Sequence, residues 1–416
     1  MTELDTRSWG GRNAHDPTAV RDDDGVYWLF STDARSDGPV RGGAQIRCSE
    51  DLVTWSFYGW ALDGVPAEAA AWSGAAGLWA PDVVRVGSQW RMYYSASTVG
   101  SRTSAIGLAS APHPSGPWQD RGVVVTSLNH VEGPNAIDAN AVVDAEGRHW
   151  LVYGSFFGGI WIVELDPATG RPLMPGAPGV CIARRRAEVE GAVEGAFVVR
   201  RPGGGYALIV SYDFLASTYN VRVAVASQIT GPYRDASGND LTDLSLDPIR
   251  AGTTILAGYR FTGGRAWLAP GHGAVLTDGG EQFYVHHVRD GDVPQEHEVQ
   301  VRRLLWTHSR WPLLSPQPYH GEALTLARPD ELAGTWEVVG FTEASATITS
   351  SRIVTVTADQ VAAVTAHGEG LYTGQVHGAR IEAVAFWSWD AVRNRAAVSF
   401  SAVDGTGHVT FGTKVG

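Results

Sequence analysis

Side chains able to do acid–base chemistry recur at matching places along this chain. Five ionisable residues each open a short apolar run, at intervals of about 55 to 80 residues. Burying carboxyl groups in one pocket is costly, and proteins tolerate that cost mainly where it shifts pKa values for catalysis. Two separated carboxyl groups suit glycoside hydrolysis, because one activates water while the other, kept protonated, donates to the leaving oxygen. The five residues are Asp16, Asp82, Asp138, Glu194 and His272.

The elements that must position these residues are repeated hairpins. Each ionisable residue is followed by a turn and then by a second, aromatic-rich run, at 26–30, 90–94, 149–153, 206–210 and 282–286. Five hairpins of one design predict the inner strands of a five-bladed β-propeller, which would converge on one axis. We therefore expect an all-β chain, with the propeller at 1–325 and a small C-terminal β-barrel or β-sandwich domain at 326–416.

A single strand-opening Asp has an ordinary explanation, because Asp, and Asp-Pro especially, initiates turns. Five aligned polar positions favour a functional site instead. Carboxyl groups on opposite blades would be far enough apart to admit a water molecule, which predicts inversion at the anomeric carbon. In the C-terminal region no such constellation occurs, so we expect a packing module there, with sugar binding as the alternative.

Composition excludes several classes of function. A formal net charge of -12 disfavours nucleic acid and anionic membrane as partners. No stretch approaches a transmembrane length, and the first residues lack the basic and apolar regions of a signal peptide. We predict a cytoplasmic monomer, or a secreted protein if an export signal has been removed.

The same residues resemble a known family, glycoside hydrolase family 43, and within it the α-1,5-L-arabinanases. The resemblance covers roughly residues 10 to 325. The C-terminal region that opens with Gly334-Thr335-Trp336-Glu337 resembles the appended β-domain of two-domain arabinanases. The matching motifs are His15-Asp16-Pro17, Trp79-Ala80-Pro81-Asp82, Asn135-Ala136-Ile137-Asp138, Tyr153-Gly154-Ser155-Phe156-Phe157, Val193-Glu194-Gly195, Tyr219-Asn220-Val221-Arg222, Pro270-Gly271-His272 and Leu305-Trp306.

By this resemblance Asp16 would be the general base, Glu194 the general acid, and Asp138 the residue that modulates the pKa of the acid. The repeat alignment selects the same three carboxylates. Glu190-Gly191 mimics Glu194-Gly195, but only Glu194 is followed by an unbroken apolar strand. Asp82 matches a position that is structural or ion-associated in the family.

The resemblance also implies contacts with a substrate and an ion. Arg222 matches an arginine that contacts the sugar near the acid, and His272 matches a ligand of a calcium ion at the propeller axis. Calcium prefers oxygen ligands, so water would complete its shell; sodium, a water cluster or a hydrogen-bonded histidine are alternatives. The predicted substrate-binding residues are Trp79, Asn135, Ser155, Phe157 and Arg222.

These features predict an inverting endo-arabinanase that cleaves arabinan or arabino-oligosaccharides. An exo-acting α-L-arabinofuranosidase or a β-xylosidase could use the same carboxylates, and a non-catalytic carbohydrate-binding propeller would be expected to lack one of them. The chain departs from the family pattern at Ala139 and Ala196, where proline is common, and at 213–218, which replaces a Gly-rich loop. The last change lies near the acid and leaves endo and exo action open.

Overall fold

The computed structural model describes residues 6–36, 38–342, 347–368, 370–376 and 378–416. Four successive four-stranded antiparallel sheets form blades 1 to 4, each with strands in chain order. Blade 1 contains β1 (Thr18–Arg21), β2 (Tyr27–Ser31), β3 (Gln45–Ser49) and β4 (Ser56–Trp60). Blade 2 contains β5 (Trp79–Val86), β6 (Gln89–Ala96), β7 (Ser104–Ala111) and β8 (Gln119–Ser127). Blade 3 contains β9 (Asn140–Val143), β10 (His149–Tyr153), β11 (Ile160–Leu165) and β12 (Val180–Ala183). Blade 4 contains β13 (Val193–Arg200), β14 (Tyr206–Tyr212), β15 (Asn220–Ala226) and β16 (Thr253–Leu256).

Blade 5 is the central part of a six-stranded sheet. From the inner strand β18 the sheet extends outward through β19, β20 and β21. On the other side of β18 it is extended by the short strands β17 and β24. The prediction of a five-bladed propeller is thus confirmed. The strands are β17 (Tyr259–Arg260), β18 (Trp267–Asp278), β19 (Glu281–Asp290), β20 (His297–Trp306), β21 (Pro312–Leu314) and β24 (Thr349–Ser350).

The burial of the second strand of each blade explains why the aromatic-rich runs could be recognised in the sequence. All five residues of β2 and all seven of β14 are buried. A strand covered on both faces by neighbouring blades reads as a continuous apolar run rather than an alternating one. These strands supply the hydrophobic clusters between blades and fix the inner strands around the axis.

The ring closes without sharing a blade between the two chain ends. Residues 11–13 instead pair with the start of β20, through the backbone bonds Asn13 N to His297 O and Val299 N to Gly11 O, both 2.9 Å. The buried Arg47 guanidinium secures this segment from blade 1 by donating to the carbonyl oxygens of Gly10 and Arg12. Blade 1 is thereby held against blade 5, where Asp16 and His272 approach each other.

The C-terminal domain is one strongly paired antiparallel sheet, which favours the barrel over the sandwich of the two predicted alternatives. Strand order is β25-β23-β30-β29-β28-β27-β26, with β22 pairing to β28, and helix α2 joins the two edge strands. Thr325, at the predicted domain boundary, begins β22. The elements are β22 (Thr325–Leu326), β23 (Gly334–Phe341), β25 (Arg352–Val356), α2 (Ala358–Ala362), β26 (Thr365–Ala366), β27 (Leu371–Val376), β28 (Ala379–Asp390), β29 (Arg395–Asp404) and β30 (Val409–Lys414).

The two domains share a hydrophobic cluster. Phe341 and Phe411 of the C-terminal sheet pack edge-on around Tyr259 of blade 5, and all three side chains are buried. The pairing of β24 with β17 continues the blade 5 sheet into the C-terminal domain. This extensive contact fits the predicted packing role of that domain.

Helices are few and short. The propeller has α1 (Ala67–Ser73) and a 3₁₀ turn at Ala187–Val189, and a second 3₁₀ turn lies at Pro329–Glu331. Within the described ranges, no helix has the length and apolar character needed to cross a bilayer.

Candidate active site

Each blade places one left-handed residue at the same point of its inner strand. These residues have φ between 37° and 60°, a region that non-glycine residues seldom occupy. For a residue other than glycine, such backbone strain is usually kept where it aims a functional group, at a cost of roughly 1–3 kcal/mol. The five are Asp16, Ala80, Asp138, Gly195 and His272.

This backbone feature corrects the predicted alignment of Asp82. The left-handed residue of blade 2 is Ala80, so Asp82 lies two positions further along and corresponds to Thr18 and Asn140. Its carboxylate accepts from Thr18 Oγ1 (3.0 Å), Asn140 Nδ2 (3.2 Å) and Ala141 N (2.7 Å). Asp82 therefore joins blades 1, 2 and 3, and burial raises its pKa to about 6. Aligning Pro17 with Pro81 would have revealed the offset.

Asp16 is surrounded by groups that favour its ionised form. Its Oδ1 atom lies 2.8 Å from His15 Nδ1 and 3.1 Å from His272 Nδ1, while Thr32 Oγ1 donates to Oδ2 at 2.6 Å. Burial opposes ionisation, but the attraction and hydrogen bonds of the two histidines outweigh it and hold the pKa of Asp16 well below its usual range. Asp16 is thus an oriented carboxylate, as a general base must be.

Asp138 and His272 lie between the two outer carboxyl groups. Asp138 Oδ2 is 3.9 Å from His272 Nδ1 and accepts the N–H of Gly195 at 3.3 Å. Burial, opposed by His272 and reinforced by Glu194 and Asp16, raises the pKa of Asp138 to about 7. Burial lowers the pKa of His272, but Asp16 and Asp138 overcome this and raise it to about 10. His272 is accordingly a counter-cation shared by the carboxylates.

The close packing of Gly195 against His272 leaves no room for a side chain at position 195. A Cβ atom at this position would lie 2.7 Å from the His272 ring, and its φ of 58° also disfavours a side chain. The small residue lets the strand of Glu194 approach His272 closely.

Glu194 is held by one hydroxyl on each oxygen. Ser155 Oγ donates to Oε2 and Tyr219 Oη donates to Oε1, both at 2.8 Å. Burial raises the pKa of Glu194 and prevails over the lowering effects of His272 and the two hydroxyl groups. The lowered pKa of Asp16 and the raised pKa of Glu194 are the opposed pattern that a general base and a general acid require.

A histidine pair supports Asp16 from behind. His15 and His287 stack with ring centroids 3.7 Å apart, and His287 Nδ1 accepts the backbone N–H of Asp16 at 3.2 Å. Burial, together with His15, holds the pKa of His287 well below its usual value, so this ring is neutral. His15, Asp16 and His287 have potential metal-binding atoms within 4.8 Å of one another, but the lone pair of His287 Nδ1 is already committed to that N–H.

The remaining predicted substrate-binding residues are less close to the carboxylates. Trp79 is half-buried beside Ala80, whose N–H donates to Thr32 and so lies near Asp16. Phe157 is 51% exposed in the loop that carries Ser155. Asn135 is buried and accepts from Ser127 Oγ at 3.4 Å. Sugar contacts by these three residues stay predictions.

Arg222 lies in a different environment from the one expected. Its guanidinium is buried, donates to the carbonyl oxygens of Ala251 and Gly252, and lies 4.8 Å from the ring centroid of Tyr212. The described contacts make it a support of blade 4, and its burial argues against a direct sugar contact.

Sequence reasoning missed Tyr219, Thr32 and His287. Tyr219 belongs to the motif from which Arg222 was selected, yet it is Tyr219 that reaches the acid. Thr32 follows β2 and reaches Asp16 within blade 1, whereas His287 lies within β19 and reaches Asp16 only when blades 1 and 5 are brought together.

The family comparison agrees with this geometry. The family model for glycosyl hydrolases family 43 matches residues 11–312, which is most of the chain. The chain belongs to glycoside hydrolase family 43. A model for a C-terminal lipocalin-like domain matches residues 316–412. The chain is therefore a glycoside hydrolase with two β-domains.

Similar proteins match between 72% and 97% of this chain. Extracellular endo-alpha-(1->5)-L-arabinanase 2 of Bacillus subtilis is 27% identical, over 97% of this chain and 93% of its own length. Extracellular exo-alpha-(1->5)-L-arabinofuranosidase ArbA of Cellvibrio japonicus is 30% identical over 72% of this chain and 86% of its own. A family 43 crystal structure from Bacillus licheniformis superposes with a TM-score of 0.86 at 27% identity, covering 97% of this chain and 98% of the other.

The hydrogen bonds that Ser155 and Tyr219 donate to Glu194 lead to a testable prediction. Both hydrogen bonds favour the carboxylate, so Tyr219→Phe should raise the pKa of Glu194 further. The acid would then stay protonated to higher pH, and the alkaline limb of the kcat/KM profile should move upward. Ser155→Ala should shift it in the same direction. A limb that stays in place or moves downward in both variants would contradict the contact.

Proposed function

We propose that this family 43 hydrolase cleaves α-1,5-L-arabinofuranosidic bonds of arabinan or arabino-oligosaccharides internally and with inversion. The observation that carries the assignment of roles is the opposed environment of Asp16 and Glu194, one favouring a carboxylate and the other a carboxylic acid. The substrate class is supported by the endo-arabinanase of Bacillus subtilis, which matches nearly the whole chain.

In the proposed mechanism Asp16 removes a proton from a water molecule on one face of the sugar ring. That water attacks the anomeric carbon while Glu194 gives its proton to the leaving oxygen. One C–O bond forms and one breaks in a single displacement, so the configuration inverts. The negative charge of Asp16, joined by that of Asp138 whenever Asp138 is ionised, helps Glu194 to hold its proton.

A calcium ion at the propeller axis is part of the proposal. Three buried carboxyl groups create a negative potential strong enough to raise the pKa of His272 to about 10, and the same potential would attract a cation. To ligate the ion His272 would have to lose a proton, and because its Nδ1 faces Asp16, Nε2 would be the donor atom, with water as further ligands. Bound calcium would supply positive charge that favours ionised Asp16.

Removal of divalent metal should therefore lower both activity and thermal stability, since an ion that binds only the folded state stabilises it. Calcium should restore both in the wild type and bind the metal-free protein in isothermal titration calorimetry. His272→Ala should lose that heat of binding. Equal binding by the wild type and the variant would place the ion elsewhere, and no binding by either would leave His272 as the only central cation.

Product analysis separates endo from exo action. Linear α-1,5-arabinan incubated with the enzyme should give a spread of oligosaccharides at early times. A single small product from the start would indicate the exo mode, which the similarity to the Cellvibrio japonicus enzyme keeps as the second candidate. Cleavage of β-1,4-xylo-oligosaccharides instead of arabinan would indicate a β-xylosidase.

The proposed substrate bears on the cellular location of the enzyme. The two named relatives are extracellular proteins, which fits action on a polymer outside the cell. The monomeric state, and the cytoplasmic location with secretion as its alternative, stay predictions.

A further inference from the structure

Two exposed phenyl rings lie in loops beside Glu194. Within the described residues, four Phe, Tyr and Trp side chains are 40% or more exposed. Two of the four lie in the loops whose hydroxyl groups hold Glu194: the β10–β11 loop and the β14–β15 loop. The four are Tyr58 (53%), Trp72 (40%), Phe157 (51%) and Phe214 (60%).

The two loops donate hydrogen bonds to different oxygen atoms of Glu194. The β10–β11 loop donates from Ser155 to Oε2 and carries Phe157, while the β14–β15 loop donates from Tyr219 to Oε1 and carries Phe214. Each loop also contains a left-handed residue at or beside the phenyl ring, Phe157 itself (φ 72°) and Asp213 (φ 70°). Strained backbone next to an exposed aromatic ring points to a ring that is held out for a purpose.

Phe214 stands on a preorganised backbone. Its N–H donates to Thr218 Oγ1 at 3.1 Å, and its carbonyl oxygen accepts the N–H of Thr218 at 3.0 Å. The preceding residue, Asp213, is clamped by Arg185 Nη1 (2.6 Å) and Asn220 Nδ2 (2.9 Å). Binding a ligand to such a loop costs little conformational entropy.

The opposite side of the loop is anchored to blade 5. Arg289 Nε donates to the carbonyl oxygen of Leu215 at 3.1 Å, and the same guanidinium donates to Pro294 O. The exposure of Phe214 is therefore a property of a loop fastened at both sides, and the apolar ring remains in solvent at a cost that a bound apolar surface would remove.

We infer that Phe214 is a specificity-determining residue that, together with Phe157, binds the sugar units on the leaving-group side of the scissile bond. Glu194 must contact the leaving oxygen, so the loops that flank it face the departing part of the chain. The C–H faces of arabinofuranose units would pack on the two phenyl rings. This inference rests on the proposed function and adds the subsite that recognises the leaving oligosaccharide.

The test compares substrates that differ only in the leaving group. For Phe214→Ala, kcat/KM on arabinohexaose should fall about tenfold, equal to about 1.4 kcal/mol. On arabinobiosyl fluoride, which loses only fluoride, kcat/KM should be unchanged. Phe214→Tyr should keep the wild-type values on both. The exposed Met174, outside these loops, provides a control through Met174→Ala.

Equal losses on both substrates, or no loss on either, would overturn the role of Phe214. Melting temperatures of the variants show whether a loss common to both substrates reflects damaged folding. Failure of the wild type to cleave arabinohexaose would instead refute the proposed function, so the two failures are distinguishable.

Discussion

Replacement of Asp16 by Asn is expected to lower kcat on linear arabinan by about a thousandfold or more, since a positioned general base contributes about 10²–10⁴ in rate. Asn keeps the size of the side chain and can still accept from Thr32, but it loses the negative charge that His15 and His272 surround. Steady-state kinetics with purified protein measures the loss. The melting temperature should show that the fold is retained.

Asp82 provides the matched control for Asp16. Both residues are aspartates of inner-strand segments, yet Asp82 bonds only to Thr18, Asn140 and backbone in the described contacts. Asp82→Asn should therefore lower the melting temperature while the folded fraction keeps most of its kcat. A catalytic loss at Asp82 as large as that at Asp16 would contradict the division of roles.

Replacement of Glu194 by Gln should lower activity on arabinan by a similar factor, because the sugar leaving group needs a proton. The effect should be much smaller with a nitrophenyl α-L-arabinofuranoside, whose leaving group departs without protonation. The alkaline limb of the pH profile should also disappear, because protonated Glu194 is lost as the pH rises through its raised pKa. Rate measurements on both substrates across pH test these points.

Glu190 is the control for Glu194, since it is exposed and also precedes a glycine. Glu190→Gln should behave as the wild type on both substrates. An equal loss on good and poor leaving groups in Glu194→Gln would show that Glu194 acts by some means other than proton donation.

The propeller was predictable because its signals are local and repeated. Each second strand is buried on both faces, so its apolar run stands out, and the predicted run at 90–94 lies inside β6 (Gln89–Ala96). Four of the five residues also meet at the axis, although the left-handed residue of blade 4 is Gly195 and Glu194 therefore lies one position earlier than the predicted alignment placed it. The fifth, Asp82, lies two positions too late. Apolar patterning does not reveal such offsets of one or two residues, whereas the left-handed backbone of Ala80 and Gly195 does.

The rest of the site depends on contacts between segments that are distant in the sequence. The bond from Tyr219 to Glu194 joins the β14–β15 loop to the first strand of blade 4, and the stack of His15 on His287 joins blade 1 to blade 5. Neither has a sequence spacing that distinguishes it from core packing. Arg222 matched a family motif but does not fit the predicted role. A motif match does not reveal that the guanidinium already donates its hydrogen bonds to backbone carbonyl oxygens.

The most direct test of the account is the configuration of the first product. Proton NMR during the early hydrolysis of a linear α-1,5-arabino-oligosaccharide distinguishes the two anomers of the new reducing end before they interconvert. Direct displacement by water activated at Asp16 predicts that the β-anomer appears first. First appearance of the α-anomer would mean retention, and the base and acid roles assigned to Asp16 and Glu194 would have to be abandoned.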